Sequence, residues 1–431
     1  MTGLSKKGLI RLLTISLLLN GCGILGVSDE YLHLLSKDPV FFELTDLDYI
    51  KQQLQKENSI YEKAYTNLIV AAHKALNSNG YSVTYKNLVA PNGDENAFVS
   101  RGRYWWPNPD TENGLPYVHR DGQVNPEIYQ FDYFSLSRLK GDIQTLSITY
   151  YLTAQEEYAE KAISLIRTWF IAKETKMRPH LKFAQSIPGH SFGRPEGIID
   201  GLDFYRILNY ITILRKSTHW TDEINRGINS WYYKYYIWLL NHPLGKAAKN
   251  KTNNHGTWYD VQVGIYAYFF DDQATLEEVL YRVQEVRIPE QIGPGGRQIN
   301  ELSRSNPISY SIYNLKAFSI LAKLADKSFI ENIVNPYASV SSKSYGNSNY
   351  ESIENAIRFL LPFLNLNDNS SLNYEAISEY NLCSVIPILK WAYDYYKKEE
   401  YYNTYHFIIE KELSCRESKN LILYPIKKQT T

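Results

Sequence analysis

The amino-acid sequence predicts an all-α protein, a closed or partly closed ring of antiparallel helix pairs with long functional loops. Three observations support that expectation. Apolar residues recur at helical spacing through almost the whole chain. Polar turns separate neighbouring candidate helices, as Ala154-Gln155-Glu156-Glu157 does between 137–153 and 158–171, with no strict repeat of the kind a regular solenoid shows. Segments rich in Gly, Pro, Asn and Asp break the pattern at a few places, where loops would carry function.

Taken in order, residues 1–22 read as a leader outside the fold. Lys6, Lys7 and Arg11 form a basic start and Leu12 to Leu19 an apolar run too short to anchor in a bilayer. Leu19-Asn20-Gly21-Cys22 closes the segment. It resembles a bacterial lipoprotein signal with its lipobox, which implies a lipid on Cys22 and a place in the cell envelope. Gly23 lacks the Asp-type inner-membrane retention signal, so the outer membrane is the expected address. Residues 23–45, with Ser28, Asp29 and Glu30, are expected to form a tether and N-terminal segment, and 46–431 a single domain.

The full chain balances 46 basic against 46 acidic residues, and losing the leader removes three basic ones, leaving 43 against 46. That balance argues against a general nucleic-acid binder, so an anionic ligand must meet a local patch. Cys383 and Cys415 remain in the mature chain, either as a disulfide or as two thiols. No Cys and His cluster has metal-site spacing. The 37 Tyr, 16 Phe and 8 Trp suit both sugar stacking and core packing.

Candidate helices cover 46–56, 59–78, 131–153, 156–171, 196–216, 221–241, 255–270, 273–291, 309–326, 350–365 and 379–397. Between them, residues 82–130 form a long stretch without helical periodicity, and so long a loop inside a compact domain is usually functional. Shorter loops at 178–195, 242–254 and 292–308 carry His180, Lys182, His190 and Arg194, then Lys246, Lys249 and Lys251, then Arg297 and Arg304.

Four segments carry chemistry-bearing residues. The first is Tyr104-Trp105-Trp106-Pro107 with Asp121-Gly122-Gln123-Val124-Asn125-Pro126, and the second Ile187-Pro188-Gly189-His190 leading to Arg194 and Gly197-Ile198-Ile199-Asp200. The third is Asn253-Asn254-His255, at a capped helix start, and the fourth runs from Gln291 through Arg304 to Tyr310. Together they resemble the alginate lyase superfamily of polysaccharide lyases, over about residues 80–330 and in the family's order. Gly295, Ser305 and the six-residue step from Arg304 to Tyr310 depart from the usual pattern, with Tyr313 as a fallback for Tyr310.

The resemblance implies an incomplete (α/α) toroid and β-elimination across C4 and C5 of a uronic acid in an anionic polysaccharide, with no metal or cofactor. It assigns Asn254, helped by Arg304 and His255, to neutralise the sugar carboxylate, so that charge flowing into it is stabilised. Tyr310 is the expected acid, and base too where the C5 hydrogen and O4 share a face; where they do not, His255 is the base. A nearby Arg304 would favour the ionised Tyr310 that base action needs. Tyr104, Trp105 and Trp106 are expected to form a lid or stacking platform, and His190, Arg194, Trp258 and Arg297 complete the substrate-binding candidates. Two other functions compete. A glycoside hydrolase would need paired carboxylates, for which Glu196, Asp200, Asp203 and Asp260 are available. A glycan-binding lipoprotein would keep the aromatics and need no Asn, His, Arg and Tyr set.

Overall fold

The computed structural model describes residues 37–327, 352–364 and 381–427. The leader with Cys22, most of the expected tether and parts of the 350–365 and 379–397 helices lie outside the described residues. The longer helices are α1 (Leu44–Gln53), α2 (Glu62–Leu76), α3 (Asp132–Thr153), α4 (Glu156–Phe170), α5 (Leu202–Leu214), α6 (Asp222–Asn241), α7 (Pro243–Lys249), α8 (Asn254–Phe269), α9 (Gln273–Arg282), α10 (Pro307–Lys327), α11 (Ile353–Leu364), α12 (Ile386–Tyr396) and α13 (Glu399–Lys411).

The contacts among them arrange the helices in two tiers. In the inner tier α3 packs on α5, α5 on α8, α8 on α10 and α10 on α12. The outer tier backs four of these five: α4 on α3, α9 on α8, α11 on α10 and α13 on α12. This is the incomplete (α/α) toroid. Residue patterns explain the division. Helix α8 buries every residue except His255 and Tyr268, as an inner helix must. The outer α4 buries one stripe, including Tyr158, Ala162, Ile166 and Trp169. Gly264 permits the close approach of α8 to α10, because a Cβ there would lie 2.8 Å from Leu324 Cδ2.

One boundary differs from expectation. Val40, Phe41 and Phe42 are buried in the core, so the fold begins before position 46. The 82–130 segment, expected as a loop without helical periodicity, is ordered by short strands and two 3-10 turns. Strand β1 (Val99–Arg101) pairs in parallel with β4 (Phe183–Ser186), and β2 (Trp105–Trp106) pairs with β3 (Val118–His119). Cys383 and Cys415 form a disulfide, which answers the question their spacing left open. The aromatic excess goes largely into the core: ten tyrosines and two tryptophans are the largest fully buried side chains. No helix among the described residues is long and apolar enough to cross a membrane.

Candidate active site

At the start of α8 the backbone leaves N–H groups without helical partners. Asn253 caps the helix, its side-chain oxygen accepting from His255 N at 3.2 Å. Asn254 is buried, and both its backbone N and its Nδ2 donate to the Glu301 carboxylate at 2.7 Å. Glu301 therefore occupies the anion position at the helix end, although burial pushes its carboxyl pKa upward. Arg287 holds the preceding loop by donating to the carbonyls of Lys249 and Lys251, and is itself paired to Asp260 at 2.8 Å.

Arg304 lies just before α10 and Tyr310 in its first turn. One guanidinium nitrogen of Arg304 donates to Asp121 at 2.6 Å and to the Tyr310 hydroxyl at 2.9 Å. The guanidinium also sits 3.9 Å from the Tyr310 ring centre. Tyr310 in turn donates to the Tyr104 hydroxyl at 2.9 Å. Asp121 is pulled down to about 2, chiefly by its hydrogen bond from Arg304. Gly122 follows with φ of 76°, and a Cβ there would meet Ser305 Oγ at 2.6 Å, so the turn fits tightly against the Arg304 segment.

His255 stands among Arg194, Lys251, Arg304 and Glu196, and burial with the three cations holds it down to about 4. It is a neutral imidazole near pH 7, and its Nδ1 has no hydrogen-bond partner among the described residues. Burial also raises the Tyr310 phenol well above its ordinary value, reinforced by the hydrogen bond to Tyr104. The expected push from Arg304 toward the phenolate is present but outweighed. Free Tyr310 is protonated, suited to giving a proton.

These groups share one cleft of about 1110 Å³, lined by Tyr104, Asp121, Arg194, Asn254, His255, Arg304 and Tyr310 among others. Arg194 is positioned by Gln185, whose Oε1 accepts from it at 2.7 Å and whose Nε2 donates to Asp200 at 2.9 Å. Glu196 pairs with Lys251 at 2.6 Å.

The remaining candidates fall elsewhere. Trp258 is fully buried and packs on Tyr313 with ring centres 5.0 Å apart, so it is a core residue and not a sugar contact. Arg297 is outside the cleft, its guanidinium 5.9 Å from the Phe359 ring. His190 bonds the Tyr117 carbonyl at 2.9 Å and packs on Trp105, bracing the wall behind Arg194. Trp105 and Trp106 are likewise outside the lining, held by Asn125 donating to the Trp105 carbonyl and by Trp106 Nε1 donating to the Gln123 carbonyl. Tyr104 belongs to the site through its hydroxyl rather than through stacking. The fallback Tyr313 lies on the cleft wall, and it is Tyr310 that Arg304 bonds.

The carboxylates a hydrolase would use are committed. Asp260 is buried between Arg282 and Arg287, Asp203 pairs with Arg206 at 2.8 Å, and Asp200 accepts from Ser100 and Gln185. Among the described residues no group of three His, Cys, Asp or Glu could hold a metal ion.

A toroid whose cleft combines a carboxamide, a neutral imidazole, a guanidinium and a protonated phenol defines a polysaccharide lyase. The alginate lyase family model matches residues 82–370, and the chain belongs to that family. It is similar in structure to an alginate lyase from Bacteroides ovatus, with 28% identity, a TM-score of 0.80, and coverage of 90% of this chain and 99% of that one. Alginate lyase A1-III from Sphingomonas species A1 shares the fold at 14% identity and a TM-score of 0.53, with 93% of this chain and 100% of that one covered. No curated protein sequence matches the chain.

Proposed function

We propose that the protein cleaves a polyuronate, alginate or a related glycan such as glucuronan, by β-elimination, leaving a C4–C5 unsaturated uronate at the new non-reducing end. The observation that carries this is the Arg304–Tyr310–Tyr104 chain, which keeps a protonated phenol in the same cleft as a neutral His255. His255 removes the C5 proton, and the electron pair flows toward the carboxylate. Arg304 and the Asn254 N–H not bound to Glu301 stabilise that charge. When the C4–O4 bond breaks, Tyr310 protonates the departing oxygen. This division suits a sugar whose C5 hydrogen and O4 lie on opposite faces, as in α-L-guluronate. The 2.9 Å contact from Arg304 favours a second course, in which an ionised Tyr310 serves as both base and acid on β-D-mannuronate or β-D-glucuronate.

Membership of the family and likeness to the Bacteroides ovatus enzyme support alginate as the substrate. The leader pattern ending at Cys22 supports a lipid-anchored protein of the cell envelope. The test is incubation with alginate, glucuronan and other polyuronates, following ultraviolet absorbance of the new double bond. New reducing ends without absorbance would favour a hydrolase, and binding with neither would favour a glycan-binding role. Tyr310→Phe is expected to lower kcat by about a hundredfold or more with the fold intact; undiminished turnover in that variant would sink the assignment.

A further inference from the structure

We propose that Lys316, with Arg206, forms a carboxylate-binding subsite at the inner end of the cleft, holding a uronate of the substrate chain away from the bond that breaks. The inference rests on the polyuronate reading above. Helix α10 presents Ser309, Tyr310, Ile312, Tyr313 and Lys316 to the cleft, a stripe at helical spacing. Six residues separate Tyr310 from Lys316, a step of about 9 Å along the helix at the standard rise. One face of one helix thus carries the candidate acid at its start and a cation further in. The cleft is continuous between them, so a chain bound at Tyr310 has room to extend toward Lys316.

The charge balance at that inner end is incomplete. Among the described residues the Lys316 ammonium has no hydrogen-bond or ion-pair partner, and the charges that bear on it are those of Arg206 and Lys140. Asp203, on the wall of the same cleft, is taken by Arg206 at 2.8 Å and faces Lys140 at 4.0 Å. A second cavity of about 200 Å³ shares Lys316 and Arg206 with the cleft and adds Lys140 and Lys323 to its walls. Lys323 donates to the Phe41 carbonyl at 3.2 Å and feels the carboxylates of Glu43, Asp394 and Asp46, so it is compensated from its own side. Arg206 and Lys140 thus share one carboxylate where the cleft ends, and Lys316 stands beside them without one. Burial, with Arg206 and Lys140, holds the Lys316 ammonium down to about 7, and an incoming carboxylate would restore its charge. A polyuronate supplies one carboxylate on every sugar, which makes the substrate itself the matching anion.

The experiment measures kcat and KM by ultraviolet absorbance for wild type, Lys316→Met and Lys316→Arg, on oligouronates graded from the shortest that is cleaved to long chains. Lys316→Met is expected to lower kcat/KM on long chains by about tenfold or more, mainly through KM, and to change the shortest substrate by less than about twofold. Lys316→Arg should recover most of the loss on long chains. The melting temperature of Lys316→Met should not fall, because the variant removes an unpaired buried cation. Equal loss at every length, no loss at any length, or an arginine variant as impaired as the methionine one would each overturn the subsite.

Calorimetric binding of long oligouronates to the same proteins separates the two proposals. A wild type that forms no double bond on any polyuronate, yet binds long oligouronates more tightly than Lys316→Met, leaves the subsite standing and removes the elimination. An active wild type that Lys316→Met matches at all lengths, in turnover and in binding, does the reverse.

Discussion

Glu301→Gln tests how the site is held together, because the change keeps shape and removes only charge and one acceptor. Glu301 is buried and receives two donors from Asn254, the backbone N and Nδ2, each at 2.7 Å. A glutamine has one acceptor oxygen to offer, so one donor keeps a weaker neutral bond and the other meets an NH₂ group. A hydrogen bond to a charged acceptor contributes about 1.5–3 kcal/mol, and a buried donor left unmatched costs about 1–3 kcal/mol. With partial relaxation the variant should lose about 2–4 kcal/mol of stability, which for a chain of this size lowers the melting temperature by about 2–5 °C. Asn254 should also turn away from its present orientation. If its remaining N–H is what meets the sugar carboxylate, kcat on a polyuronate should fall by about a hundredfold, the scale of losing one preorganised donor. Glu301 is then a positioning residue, acting through Asn254. Thermal melts and initial rates by ultraviolet absorbance decide the matter. A variant with the expected loss of stability but kcat within about threefold of wild type would refute the link between the clamp and the chemistry.

Other consequences are independent of that one. With His255 held near 4 and acting as base, the acid limb of kcat/KM should fall at about pH 4, and a limb near pH 6.5 would remove His255 from that role. His255 and His180 both titrate at about 4 in the fold against about 6.5 unfolded, so between those values the unfolded chain binds more protons. Their contribution to stability is full above pH 6.5 and is lost as pH falls toward 4, which urea melts across that range can read. Trp258→Ala should cost about 3–5 kcal/mol by opening a core cavity, with KM of the folded enzyme unchanged; a raised KM without destabilisation would return Trp258 to the substrate. Replacing both Cys383 and Cys415 by Ser removes a link between positions 32 apart. The unfolded-chain entropy it restores should lower stability by about 3–4 kcal/mol, and an unchanged melting temperature would contradict that.

The ring of helix pairs was legible because inner helices such as α8 and outer ones such as α4 carry strong apolar patterns. Elements without such patterns were less so. The predicted helix over 273–291 is one path in the sequence but passes through a π turn at 283–287 before Pro289, whose ring nitrogen cannot donate to the helical ladder. The predicted start at 196 lies in a 3-10 turn over Pro195–Gly201, where Gly197 meets Ala184 O and Gly201 meets Tyr235 OH too closely for a Cβ. Helix α7 begins on Pro243 with His242 as its cap, inside a segment that reads as a loop, and α13 is masked by its many polar and aromatic residues.

At the site, legibility stopped where contacts became long-range. Asn254, His255, Arg304 and Tyr310 lie in compact motifs, and all four reach the cleft. What fixes their protonation comes from partners no local pattern names. Arg304 lies three residues after Glu301, yet it pairs with Asp121 across 183 positions, while Glu301 goes to Asn254. That exchange reverses the expectation that Arg304 favours an ionised Tyr310, and it changes the charge at the end of α8. Asp121 offsets the Arg304 charge, so burial governs the phenol and Tyr310 stays protonated. Glu301 fills the end of α8, so the helix dipole is already matched by a carboxylate of the protein. On the proposed elimination, neutralising a sugar carboxylate would then fall to side chains: Arg304, Arg194 and Lys251 in the cleft, and one N–H of Asn254. The same cations that would hold the substrate also keep His255 unprotonated, so binding and base strength in this cleft have one electrostatic source.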